Sequence, residues 1–239
     1  MSTAVTSRAR SLPGILITSS VGKKILMAVT GFVSFGYVVG HMAGNLQIFV
    51  GQDRLNAYAE ALHSLGAMLW LIRLFLLACI VIHIWMGIQL KLENWSARPV
   101  GYRKRDTVQA SLASRTMIWT GLLIGTFVVY HLLHFTVRTT DPRFADLVDS
   151  LGRYDVYSMV ILGFRNLYIS GFYIVAVGLL CYHLSHGIAS MFQTIGWCNE
   201  RVKTPLERIS MAVSTLIFLG YISVPIAVLA GVVKLPGEV

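Results

Sequence analysis

Charge is scarce in this chain. Only 13% of its 239 residues are charged, against about 25% in a soluble domain. Hydrophobic residues make up 55%, and the mean hydropathy is +0.66. An ordinary soluble domain is excluded, and a single integral membrane domain over residues 1–239 is expected. Acidic residues number 11 against 20 basic ones, a net charge of +9. That excess does not point to nucleic acid. The basic residues lie between apolar runs, as the positive-inside rule predicts for membrane loops. Cysteine is limited to Cys79, Cys181 and Cys198. Their spacing gives no C-x-x-C for zinc or redox work and no C-x-x-C-H. Cys79 and Cys181 fall in apolar runs, where cysteine acts as a small hydrophobe. Neither a G-x-G-x-x-G nor a Walker loop is present, so any soluble chemistry belongs to other subunits.

What is present is five long apolar runs. They cover about residues 25–50, 65–90, 116–137, 166–193 and 209–232. Each is long enough to cross a ~30 Å hydrocarbon core as a helix. The second is interrupted only by Arg73, and the fifth contains Pro225, a candidate kink. Residues 1–24 read as a basic flank of the first span, not as a cleaved signal. Two connections, 53–64 and 141–162, carry amphipathic material suited to short interfacial helices. Thirteen Lys and Arg residues fall on one side: Arg8, Arg10, Lys23, Lys24, Lys91, Arg98, Arg103, Lys104, Arg105, Arg115, Arg201, Lys203 and Arg208. Six fall on the other: Arg54, Arg138, Arg143, Arg153, Arg165 and Lys234. The first side is expected to be cytoplasmic, with the N-terminus inside.

Four of the seven histidines lie inside four different apolar runs: His41, His83, His131 and His183. A histidine within hydrocarbon is costly and usually functional. Helical rise places His41 and His131 about 25 Å from the inner edge. His83 lies about 12 Å from that edge, and His183 falls near the same level. Depth pairs His41 with His131 and His83 with His183. Two pairs of imidazoles at two levels suit the axial ligands of two non-covalent haems. A proton relay or polar glue between helices is the alternative. His134 and His186 each follow a proposed ligand by three residues and could replace it. Glycines near the four histidines would let a flat macrocycle approach, or would serve ordinary helix packing.

These residues resemble the dihaem cytochrome b subunit of succinate:quinone oxidoreductases, in its single-chain five-helix form, shared with quinol:fumarate reductases. The matching pieces are Gly40-His41-Met42, Ile82-His83-Ile84, Thr120-Gly121 before His131-Leu132, and His183 followed by Gly187 and Gly196-Trp197. The resemblance covers about residues 20–230 and favours His131 over His134 and His183 over His186. It implies an all-α membrane protein with four of its five transmembrane helices forming a haem-binding bundle. Two haem b groups, His41/His131 outside and His83/His183 inside, would relay electrons between an iron–sulfur subunit and membrane quinone. The quinone would be menaquinone rather than ubiquinone. A flavoprotein would carry the succinate or fumarate chemistry. The location would be the bacterial cytoplasmic membrane.

One position departs from the pattern. Proton-moving relatives carry glutamate two residues before the fourth-helix ligand, where this chain has Cys181. The first four spans hold no carboxylate, so no compensating proton path is expected. Arg73, Arg138 and Arg165 are candidates for haem propionates, or for snorkelling at span ends. Gln47, Arg54, Glu60, His63 and His134 are candidates for the quinone, or simply interfacial. Two rivals stay open: a dihaem cytochrome serving a hydrogenase, formate dehydrogenase or nitrate reductase, and a non-haem transporter with a histidine relay.

Overall fold

The computed structural model describes residues 12–97 and 111–238. Of the basic residues used to orient the chain, Arg8, Arg10, Arg98, Arg103, Lys104 and Arg105 lie outside the described residues. The helices are α1 Leu12–Thr18, α2 Ser20–Asn45, α3 Gln52–His63, α4 Ala67–Ser96, α5 Leu112–His131, α6 Val156–Phe164, α7 Leu167–Thr194 and α8 Glu200–Leu229. A 3-10 turn, Leu46–Phe49, extends α2, and a π turn, Leu132–Thr136, extends α5. No strand forms among the described residues. The protein is an all-α membrane protein: five helices are long and apolar enough to cross a bilayer.

Helix starts follow capping chemistry. Ser19, Ser111, Asp155, Asn166 and Asn199 each accept a hydrogen bond from a backbone N–H in the first turn. That is the N-cap role of short polar side chains. Capping explains where the spans outrun their apolar runs. Asn199 starts α8 nine residues before the expected 209, so Arg201, Lys203 and Arg208 lie on helix rather than in a loop. α4 runs on past residue 90 and carries Lys91 and Glu93. Lys23, read from sequence as part of a basic flank, is inside α2 and only 6% exposed. It pairs with Glu93, which also accepts from Ser20 at 3.3 Å. The second span therefore does carry a carboxylate, at its half-exposed end. Pro205 and Pro225 lie inside a continuous α8.

α2, α4, α5 and α7 form a closed ring: α2 touches α4 and α7, and α5 touches the same two. The diagonals α2/α5 and α4/α7 are not packed backbone to backbone. α8 lies outside the ring against α7 and α2. The apolar core is eccentric. One cluster joins Ile48, Leu55, Ile161, Phe164, Tyr173 and Val224 at the end covered by α3 and α6, and another joins Val177, Cys181 and Ile217. The ring's own axis is lined by histidines.

The covered end is locked by buried polar contacts. α3 forms as the amphipathic pattern predicts, but residues 149–155 do not form a helix. They make a turn closed by a bridge between Val148 and Tyr154. Asp149 organises it, accepting from the Leu151 and Arg153 backbones at 3.0 Å and from Arg153 Nε at 2.8 Å. Asn56 on α3, fully buried, donates to Asp149 at 3.1 Å and to Asp155 at 3.0 Å. Its own oxygen accepts from the Tyr157 N–H at 3.0 Å. Gln52 adds a bond to Asp155 at 2.8 Å. Burial opposes charge on Asp149, but Arg153, Asn56 and the two backbone donors outweigh it and hold its carboxyl down at about 2.

That depression sets a sign. The folded pKa lies below the ordinary 3.8, so Asp149's contribution is complete above that value and is lost as pH falls toward about 2. Limited proteolysis of the covered end should show acid loosening in this window, and Asp149→Asn should remove that pH dependence. Asn56→Ala leaves both carboxylates short of a donor, and should destabilise the same end by about 1–3 kcal/mol.

Candidate functional site

The ring's geometry places two histidine pairs across its two diagonals. His41 on α2 faces His131 on α5, with ring centroids 5.8 Å apart and planes at 75°. His83 on α4 faces His183 on α7, with centroids 6.3 Å apart and planes at 64°. The pairing expected from depth is therefore the pairing in space. Neither His134 nor His186 takes part in it. His186 lies within electrostatic reach of Glu207 on α8. Among the described residues no set of three or more His, Cys, Asp or Glu is grouped to hold a bare metal ion. The imidazoles come in twos.

The His83/His183 pair is held in the same way on both sides. His83 Nδ1 lies 3.0 Å from the Met27 carbonyl and 3.4 Å from Thr30 Oγ1. His183 Nδ1 lies 3.1 Å from Thr120 Oγ1. Thr120 gives its own proton to backbone carbonyls one turn back, so its oxygen must accept. Both rings then carry hydrogen on Nδ1, which leaves Nε2 as a free lone pair. A glycine admits each ring. A Cβ on Gly31 would sit 3.1 Å from His83 Cε1, and one on Gly121 would sit 3.4 Å from His183 Cε1.

The His41/His131 pair is surrounded by aromatic rings. Tyr37 stacks on His41 at 5.4 Å, and Tyr221 lies at 6.2 Å. Tyr221 is itself fixed by donating to the Val38 carbonyl at 2.7 Å. Phe127, Phe135 and Tyr173 surround His131. The Tyr173 hydroxyl lies 3.4 Å from His131 Nδ1 and 2.9 Å from His134 Nδ1. One order satisfies all three groups: His131 N–H donates to Tyr173, and Tyr173 O–H donates to His134. The π turn that begins at Leu132 carries His134 into a fully buried aromatic nest. His41 is held differently, with its Nε2 3.3 Å from the Asn45 amide.

Such pairs suit a flat iron macrocycle. A metal-bound imidazole nitrogen lies about 2 Å from the metal and its ring centre about an ångström further, so two rings on opposite sides of one iron have centres about 6 Å apart. Both observed separations match that figure. His83 and His183 also present the free Nε2 that ligation needs. At the other pair, only the long Asn45 contact competes for His41.

The remaining candidates scatter. Arg73 stacks on Trp70, 5.1 Å from its ring centre, within electrostatic reach of Tyr37. Arg138, in a left-handed backbone conformation with φ 63, lies over Tyr154 at 4.2 Å. Arg165 pairs with Glu238. Arg138 and Arg165 thus serve the covered end. Arg54, Glu60 and His63 are exposed on α3, and no side-chain contact joins them to Gln47 or His134. Gln47 has a buried Oε1 without a partner. Sequence reasoning overlooked Thr30, Tyr37, Asn45, Tyr173 and Tyr221. An internal repeat could have revealed Thr30. Met27-x-x-Thr30-Gly31 precedes His41 just as Met117-x-x-Thr120-Gly121 precedes His131, and His83-x-x-x-Gly87-Ile88 matches His183-x-x-x-Gly187-Ile188.

Cysteine pairs test the geometry without any cofactor. With Cys79, Cys181 and Cys198 replaced by alanine, a short bifunctional thiol reagent should join cysteines placed at 41 and 131, and at 83 and 183. The crossed pairs 41/183 and 83/131 should stay unlinked on a denaturing gel.

No family profile, curated protein or solved structure matches this chain.

Proposed function

We propose that this chain is the dihaem cytochrome b anchor of a succinate:quinone oxidoreductase. One observation carries the proposal: two histidine pairs bridge the diagonals of the four-helix ring at separations that suit bis-imidazole iron ligation. His41 and His131 would hold the outer haem, and His83 and His183 the inner one. Haem, when bound, supplies a centre that takes up and gives back single electrons. The protein's part is to hold, orient and insulate.

Met27, Thr30 and Thr120 accept from Nδ1 of the inner imidazoles, fixing ring rotation and raising ligand basicity. Tyr173 does this for His131. Apolar spans and aromatic rings keep water away, and burial with these bonds sets the potentials. Two centres at two depths allow electrons to cross the bilayer. Each charge that crosses is worth about 2.3 kcal/mol per 100 mV of membrane potential. The end remote from α3 and α6 carries Lys24, Lys91, Arg115, Arg201, Lys203 and Arg208. That basic face suits a cytoplasmic iron–sulfur subunit and, beyond it, a flavoprotein that oxidises succinate or reduces fumarate. The dicarboxylate partners rest on the resemblance of the histidine motifs; membrane quinone is the apolar redox partner.

The complex purified with its neighbours should contain two b haems per chain by pyridine haemochrome assay, reducible by succinate. His41→Ala and His131→Ala should each remove one haem, and His83→Ala and His183→Ala the other. Haem absent from the intact complex would overturn the reading, as would His83→Ala removing the same haem as His41→Ala. Thr120→Val should shift only the inner haem's midpoint potential, and Tyr173→Phe only the outer's. About 20–60 mV is expected in each case, the equivalent of one hydrogen bond.

A further inference from the structure

A second site lies outside the histidine ring, between α7 and α8. A cleft of about 280 Å³ is lined by Gly178, Cys181, Tyr182 and Ser185 from α7 and by Met211, Ser214, Thr215 and Phe218 from α8. Ser214 is only 2% exposed, and its hydroxyl has no hydrogen-bond partner. Its neighbours behave otherwise. Ser210 donates to the Leu206 carbonyl at 2.8 Å, and Thr215 to the Met211 carbonyl at 2.9 Å. Only Ser214 leaves its hydroxyl unused, on the wall of the cleft. An unsatisfied buried hydroxyl costs about 1–3 kcal/mol, so the arrangement calls for a partner within the cleft.

Depth narrows the partner's chemistry. Cys181 lies at the middle of α7 and Ser214 at the middle of α8, so the cleft opens near the bilayer midplane. Phospholipid headgroups remain at the surface, about 15 Å away. An acyl chain reaches the midplane but offers nothing to a hydroxyl. A molecule that dissolves in hydrocarbon and carries a carbonyl meets both demands. We infer that the α7/α8 cleft binds the ring of a lipid-borne quinone, with Ser214 Oγ donating to one carbonyl oxygen. The small residues Gly178 and Cys181 let a flat ring lie against α7, while Phe218 and Met211 form apolar walls. The isoprenoid tail would leave sideways into lipid. The choice of quinone rests on the electron-relay reading; the cleft and its unpaired hydroxyl do not.

The test uses the full chain in its native membranes, labelled with a short-chain azidobenzoquinone. Saturable labelling of peptides containing residues 178–185 and 211–218 is expected, displaced by excess unlabelled quinone. Ser214→Ala, which keeps the fold, should weaken half-saturation about 5-fold. Ser214→Leu, which fills the cleft, should abolish labelling at these peptides. Unsaturable labelling spread over lipid-facing peptides would mean that acyl chains fill the cleft, and would overturn the inference. Saturable labelling confined to other helices, or labelling indifferent to Ser214→Ala, would overturn it too. Specific labelling in membranes whose chain contains no haem would leave the cleft standing and sink the electron relay instead.

Discussion

Imidazoles inside a hydrocarbon layer need partners, and satisfying them organises the ring. Each Nδ1 of the inner pair is taken by a threonine or carbonyl on the neighbouring helix. These bonds leave the opposite nitrogens facing one another across the bundle. A hydrogen bond made within one helix pair therefore orients a contact between two pairs. The four helices then enclose an axis lined by histidines, while the apolar core lies off to the α8 side.

The two levels are built with different materials. The inner pair uses the Thr-Gly steps of α2 and α5, where glycine admits the ring and threonine fixes its tautomer. The outer pair uses bulk: Tyr37, Tyr221, Phe127, Phe135 and Tyr173 surround two rings, and one hydroxyl links His131 to His134. Different surroundings would give two bound centres different potentials, which directional electron transfer requires. Beneath α3 and α6, the network of Asn56, Asp149, Asp155 and Arg153 closes the outer-pair end without drawing on the histidines.

Much of this was legible in the chain. Uncharged runs of membrane-spanning length announce themselves by composition, because lipid offers backbone groups no partner outside a helix. Histidine depth follows from the fixed rise of a helix, so the pairing could be worked out by counting. Span ends could not be: Asn199 and the Lys23–Glu93 pair decide them, and hydropathy does not register a cap or an ion pair. The segment 149–155 read as amphipathic helix because its charges are spaced for one. Asp149 instead folds it into a turn, which satisfies more backbone donors.

The sequence by itself determined how many helices cross the membrane and at what depth each histidine lies, since composition and helical rise are local properties. Tertiary structure decided which nitrogen each ring keeps free, why His134 turns to Tyr173 and not to His41, and why Ser214 is left without a partner. Those outcomes depend on rotation about helix axes and on neighbours far away in the chain. Only packing sets them.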